Sequence, residues 1–181
     1  SKIAKPDILG AIYRIQRKNA ASPKDPRGLE LDWSKPQVDW LSDKRPAVVN
    51  RSIEALAKES NVDGLRAAKA RIAALWSLHQ IPGKSARAAV RGFLRKESSD
   101  VCVAAIHSAG LWRDSAAVKP LIEILASDDA LLRRLAAMAL GRIGDRMAVQ
   151  PLLEAGLAKT DPFLKHAIIY ALYEIGDQKS L

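Results

Sequence analysis

The chain has 181 residues, with 29 Lys and Arg against 20 Asp and Glu for a formal charge of +9, and it is 48% hydrophobic but only 5% aromatic. That length predicts one domain with a substantial buried core, and the charge favours polyanions, acidic proteins or anionic surfaces. The single cysteine, Cys102, excludes an internal disulfide and a Cys-x-x-Cys pair, and no run of about 18 apolar residues is present to span a bilayer.

Residues 1–40 lack a helical period. Tyr13-Arg14-Ile15-Gln16-Arg17 alternates apolar and polar side chains after Gly10, which predicts a short strand. Pro23, Asp25-Pro26, Gly28 and Pro36 follow, a breaker-rich run that no long helix crosses, so 1–40 reads as an irregular arm or linker. An orphan strand at the start suggests that the chain is one piece of something larger. Trp33 and Trp40 are expected to pin the arm to the helices that follow.

From residue 41 to 181 the chain repeats itself. Ala139-Leu140-Gly141-Arg142-Ile143-Gly144-Asp145 returns as Ala171-Leu172-Tyr173-Glu174-Ile175-Gly176-Asp177, a spacing of 171 − 139 = 32. Ala117-Val118-Lys119-Pro120-Leu121-Ile122 returns as Ala148-Val149-Gln150-Pro151-Leu152-Leu153, a spacing of 148 − 117 = 31. Aligned windows at 41–56, 94–109, 125–140 and 157–172, with Ala74-Leu75 marking another, give four or five copies. Such a period implies units that bury their apolar faces only by stacking. Within the window, Leu131, Leu132, Leu135, Met138, Ala139 and Ile143 fall mostly three or four apart, which is helical spacing. Gly144-Asp145 stops that helix, and Pro120 and Pro151 sit near the starts of the next ones, so each unit reads as two antiparallel helices. The abundant alanines let helix axes approach closely. Ending just after a repeat motif, with no polar capping helix, suggests that further repeats follow.

Among the charged residues, Arg14, Arg17, Lys18, Lys24 and Arg27 gather in the arm, and Arg66 to Lys96 hold a second cluster. Within it Lys84, Arg87, Arg91 and Arg95 are spaced to share one helix face. A solvated outer face is the favoured reading; the alternative is a stripe that tracks nucleic-acid phosphates, although only Phe93 interleaves it for base stacking. His79, His107 and His166 are far apart, without a ligand neighbour one helical turn away, and read as structural. Cys102 lies among Val101, Val103 and Ala104 and reads as a buried apolar residue. Trp76 and Trp112 are either core or anchors for a partner; Tyr170 and Tyr173 are likewise core or groove, with the core the favoured place for Tyr170 inside its apolar window. No phosphate loop, nucleophile elbow or differentiated carboxylate pair points to catalysis, cofactor or metal.

The run Asp129-Ala130-Leu131-Leu132-Arg133-Arg134-Leu135-Ala136-Ala137-Met138-Ala139-Leu140-Gly141-Arg142-Ile143-Gly144-Asp145 resembles the short HEAT-like repeat of the bilin-lyase type. The resemblance implies an all-α fold, an α-α superhelix that serves as a docking scaffold for proteins or neighbouring domains, whereas nucleic acid is the alternative partner that the Lys84 to Arg95 face would take. It also implies an inter-repeat ladder of Asp129 and Arg133, with Asp161 and Lys165 aligned in the last copy and Arg45 and Val49 in the first. The order of Gly10-Ala11-Ile12-Tyr13-Arg14-Ile15, Asp25-Pro26-Arg27-Gly28-Leu29, Asp32-Trp33 and then repeats is similar to planctomycete-type membrane-bound dehydrogenase-like proteins. In those proteins such repeats join a β-propeller to a haem-binding segment. That likeness implies an extracytoplasmic, non-catalytic spacer; without a Cys-x-x-Cys-His motif, no haem or catalytic residue carries over to this chain.

Overall fold

A computed structural model describes residues 24–95, 97–158 and 161–177. Helices α1 (Pro46–Glu59), α2 (Val62–Ala67), α3 (Arg71–Gln80), α4 (Lys84–Gly92), α5 (Ser99–Leu111), α6 (Val118–Leu125), α7 (Ala130–Ile143), α8 (Val149–Leu157) and α9 (Pro162–Asp177) follow one another through short connections. Among the described residues there is no strand, and the fold is the expected all-α solenoid. The expected strand at Tyr13–Arg17 lies outside the described residues.

Helix α7 shows how a unit is written. Asp129 caps it, its carboxylate accepting from the amides of Leu131 at 2.9 Å and Leu132 at 3.1 Å. Ala136, Ala137, Ala139, Leu140 and Ile143 then face the core. Gly144 ends the helix at φ 76°, where a side chain would be strained, and its amide bonds to the Leu140 carbonyl. Asp145 immediately caps the next 3-10 turn by accepting from Met147. One unit earlier the device is the same, but Arg113 takes the left-handed position at φ 49° and Asp114 accepts from the Ala116 amide.

The odd-numbered helices pack side by side, α1 on α3, α3 on α5, α5 on α7 and α7 on α9, while the even-numbered ones back them. Two glycines set the spacing of the odd layer. A Cβ on Gly110 would lie 3.3 Å from the Ala139 Cα, and one on Gly141 only 2.6 Å from the Ala171 Cα. These are backbone atoms, which cannot turn aside as a side chain can.

The described residues ahead of α1, from Lys24 to Arg45, are ordered against it. Trp33 donates its indole N–H to the Gly28 carbonyl at 2.6 Å, meets Trp40 edge-on at 5.0 Å, and carries Arg51 over its ring at 4.1 Å. Gly28, at φ 67°, leaves no room for a Cβ beside Val48. Asp25 accepts from the amides of Leu29 and Glu30, and Arg45 bonds both Asp25 and Asp43, holding the Asp43 carboxyl down at about 2.

Gly141→Ala is expected to cost about 1–3 kcal/mol, because α7 and α9 must separate to admit the methyl group. Gly156→Ala, whose Cβ would meet only Ile168 at an ordinary 3.5 Å, is expected to be neutral or to gain up to about 1 kcal/mol from helix propensity. Urea denaturation of the two variants checks the contrast.

Candidate functional site

On the face of the odd layer that the even helices leave uncovered, three clefts run into one another. The first, about 520 Å³, lies among α1, α3 and the start of α5 and is lined by Ile53, Ile72 and Trp76. The second, about 420 Å³, lies among α3, α5 and α7; it shares Ile72 and Trp76 with the first and adds Leu135 and Met138. The third, about 790 Å³, lies between α7 and α9, shares Leu135 and Met138, and adds Phe163 and Tyr170. Shared walls make the three one continuous apolar groove. Phe163 is 71% exposed, Tyr170 53% and Ile72 42%, so large side chains lie open to solvent along it. The groove's rim is basic: Lys69, Arg71, Arg134 and Arg142 line it together with His107 and His166, and Asp100 is the single carboxylate among its described lining residues.

This placement corrects the expectation for Tyr170. In α9 the buried residues are Leu164, Ala167, Ile168, Ala171 and Ile175. Tyr170 stands off that stripe and turns to the groove instead. Trp76, one of the two suggested anchors, lines the groove, whereas Trp112 stacks on His79 at 4.8 Å with 15° between the rings. His79 also shares a 2.8 Å hydrogen bond between Nδ1 and the Ser108 hydroxyl. His79 and His107 do lie on neighbouring helices, both edge-on to Trp76. Among the described residues no group of three His, Cys, Asp or Glu side chains is placed to hold a metal. Cys102 is buried, and burial pushes its thiol up.

The four cations proposed to share a face do not act as one stripe. Lys84, Arg87 and Arg91 belong to α4, in the even layer, while Arg95 lies beyond the end of that helix. Arg91 is bound at 2.6 Å to Asp114, a carboxylate only 7% exposed, and Arg95 reaches Glu123 at 2.9 Å. Arg87 lies 5.6 Å from the Trp112 ring centre. Two of these four guanidinium and ammonium groups are thus engaged in tying one unit to the next. Arg71 makes a further inter-unit contact with Glu97 and also covers the Phe93 ring at 4.2 Å. Of the wider basic clusters, Arg14, Arg17, Lys18 and Lys96 lie outside the described residues.

Asp129 and Arg133 reach different partners. Asp129 accepts from the Ser99 hydroxyl of the preceding unit at 3.0 Å, which joins two units, and its helix-capping bonds hold its carboxyl below the usual range. Arg133 donates Nε to the Leu125 carbonyl at the end of α6. Asp161 repeats the capping bonds to Phe163 and Leu164, while Lys165 is exposed.

Reading the sequence for charge and metal motifs passed over Ile72, Leu135, Met138 and Phe163. Their signal is a second apolar stripe beside the core stripe on the same helix. It is legible in α9, where apolar side chains occupy both the buried face and the exposed positions Phe163, Ile169, Tyr170 and Tyr173.

A family model described as HEAT repeats matches residues 62–134 and 118–181. No curated protein matches the chain.

Two outcomes are expected. Arg91→Gln strands the buried Asp114 carboxylate and is expected to cost about 2 kcal/mol in urea denaturation, whereas Arg95→Gln, at an exposed pair, costs under about 1 kcal/mol. A phosphate-tracking role for Arg91 would instead leave stability unchanged and weaken binding of duplex DNA. Burial, with nearby His107 adding to it, lowers the His79 pKa in the folded chain. The unfolded state then binds the proton more tightly, so the contribution of His79 to stability is full above about 6.5 and is lost as pH falls through the folded value. Urea midpoints at about pH 7.5 and 5.5 are expected to differ less in His79→Asn than in the parent chain.

Proposed function

The chain belongs to the HEAT-repeat family, whose model covers residues 62–181, and on that premise we propose that residues 41–181 form a non-catalytic scaffold that holds a segment of another protein or of a neighbouring domain in the groove of its odd helices. The observation that carries this reading is the continuity of the groove across α3, α5, α7 and α9, with large apolar side chains left open along it. Isolated surface leucines need no explanation, but a connected apolar groove with a charged rim is the form that partner sites take. Repeat scaffolds of this kind are generally non-catalytic, and the lining here offers aliphatic and aromatic side chains with a basic edge rather than a nucleophile beside a base.

The finer setting is that of an interdomain spacer in a larger, extracytoplasmic dehydrogenase-like protein. Its support is the order of the Gly10 to Ile15 segment, the Asp25 to Leu29 turn and Asp32-Trp33 ahead of the repeats. Turnover of a sugar with a dye acceptor by this chain alone would contradict the spacer role.

Selection of binders from a random peptide library displayed on phage tests the groove directly. Binders are expected to compete for one site and to lose at least about tenfold in affinity with Phe163→Asp, which puts a charge where an apolar anchor docks. Binders that ignore this substitution and respond to Lys84→Glu and Arg87→Glu would move the docking surface to α4. Phe163 is largely solvent-exposed, so the variant is expected to keep its fold, checked by circular dichroism.

A further inference from the structure

We propose that the occupant of the groove is an amphipathic helix whose polar face is acidic; this deepens the docking reading and rests on it. The walls of the groove are helices, whose backbone donors and acceptors are used within them, so no open edge is available to add a strand. The anchors come instead as separate apolar stations: Ile72 and Trp76 on α3, Val103 on α5, Leu135 and Met138 on α7, and Phe163 and Tyr170 on α9. Neighbouring packed helices lie about 8–10 Å apart. A helix rises about 10.5 Å in seven residues, so apolar side chains repeating at i, i+3, i+4 and i+7 meet successive stations in step. The three steps from α3 to α9 span about 24–30 Å, the length of roughly 16–20 helical residues. Met138 adds an adaptable contact at the middle of this path.

Charge selects the polar face of the guest. Arg142 stands at the second cleft and Arg134 at the third, with His107 and His166 beside them, opposed in the lining only by Asp100. Neither Arg134 nor Arg142 makes an ion pair among the described residues, in contrast to Arg91 and Arg95 on the other layer. A guest helix carrying Glu or Asp on its flanks would satisfy these guanidinium groups bidentately. A nucleic-acid backbone could pair with the same guanidinium groups, but it carries no apolar side chains to fill the stations at Leu135, Met138 and Phe163.

The test uses the whole chain and a phage library of 18-residue sequences with leucines fixed at heptad-related positions and all other positions random. Peptides whose capture is lost with Phe163→Asp and, separately, Tyr170→Asp are resynthesised and titrated by fluorescence anisotropy. The expected result is enrichment of Glu and Asp on the polar face and helical circular dichroism in the bound peptide. Replacing the two acids that face Arg134 and Arg142 by Gln is expected to weaken binding about fivefold, two ion pairs at about 0.5 kcal/mol each. That loss should vanish in the Arg134→Gln, Arg142→Gln double variant, which removes the partners of the acids. Groove-dependent peptides with neutral or basic polar faces, or ones that bind extended, would overturn the acidic helix and leave the docking groove in place. Peptides that bind regardless of Phe163 and Tyr170, or no enrichment at all, would overturn the docking groove and this inference with it.

Discussion

Contact between backbones, rather than between side chains, sets the geometry of the odd layer. Gly110 against Ala139 and Gly141 against Ala171 are successive instances of one position, since 141 − 110 = 31 and 171 − 139 = 32. Each glycine costs its helix about 1 kcal/mol relative to alanine. The cost is offset because two helix axes approach until the surrounding alanines and leucines exclude water. One step earlier the register position is His79, since 110 − 79 = 31, and its partner position is Ser108. There a hydrogen bond and a ring stack on Trp112 replace the backbone contact. One step later the position holds Tyr173, since 173 − 141 = 32, and that side chain is exposed.

The groove follows from this spacing. Where axes nearly touch, large side chains cannot fit between them and are pushed to the layer's open face, as Ile72, Met138 and Phe163 are. The residues that hold the stack and the residues that face a partner are therefore neighbours in sequence on different stripes of the same helix. Leu164 is fully buried, and Phe163 beside it is exposed. A change of partner can be written on the second stripe without disturbing the first. Polar links between units change in type from one junction to the next, from the Arg91–Asp114 and Arg95–Glu123 ion pairs to the Ser99–Asp129 hydrogen bond, which fits their role as adjustable contacts over a common core.

Much of the fold was legible in the sequence because period and punctuation are local. The Gly144 stop and the Asp145 start each act within a few residues, and each appears in the structure with its expected bond. The groove was less legible, because it depends on which of two apolar stripes wins the core, and that is settled only when α7 meets α9. Tyr170 illustrates the point: it lies in an apolar window, yet Ile168 and Ala171 take the buried places. The partners of the basic residues were hidden in a related way. Spacing along α4 showed which cations share a direction, but the carboxylates that neutralise Arg91 and Arg95 come from 23 and 28 residues away.

The Asp-Pro-Arg-Gly turn of the arm shows how one motif can carry a likeness and a mechanical duty together. Asp25 caps the turn through Leu29 and Glu30, and Gly28 supplies a left-handed residue pressed against Val48 and Trp33. Trp33 then returns a hydrogen bond to the Gly28 carbonyl and lays its ring beneath Arg51 of α1. A repeat stack leaves an apolar end wherever its first helix lacks a predecessor, and among the described residues α1 is preceded by this arm and no other helix of its kind. The turn thus has a duty in the solenoid itself: Asp25 and Gly28 fold the arm back against Val48 of α1, which is fully buried.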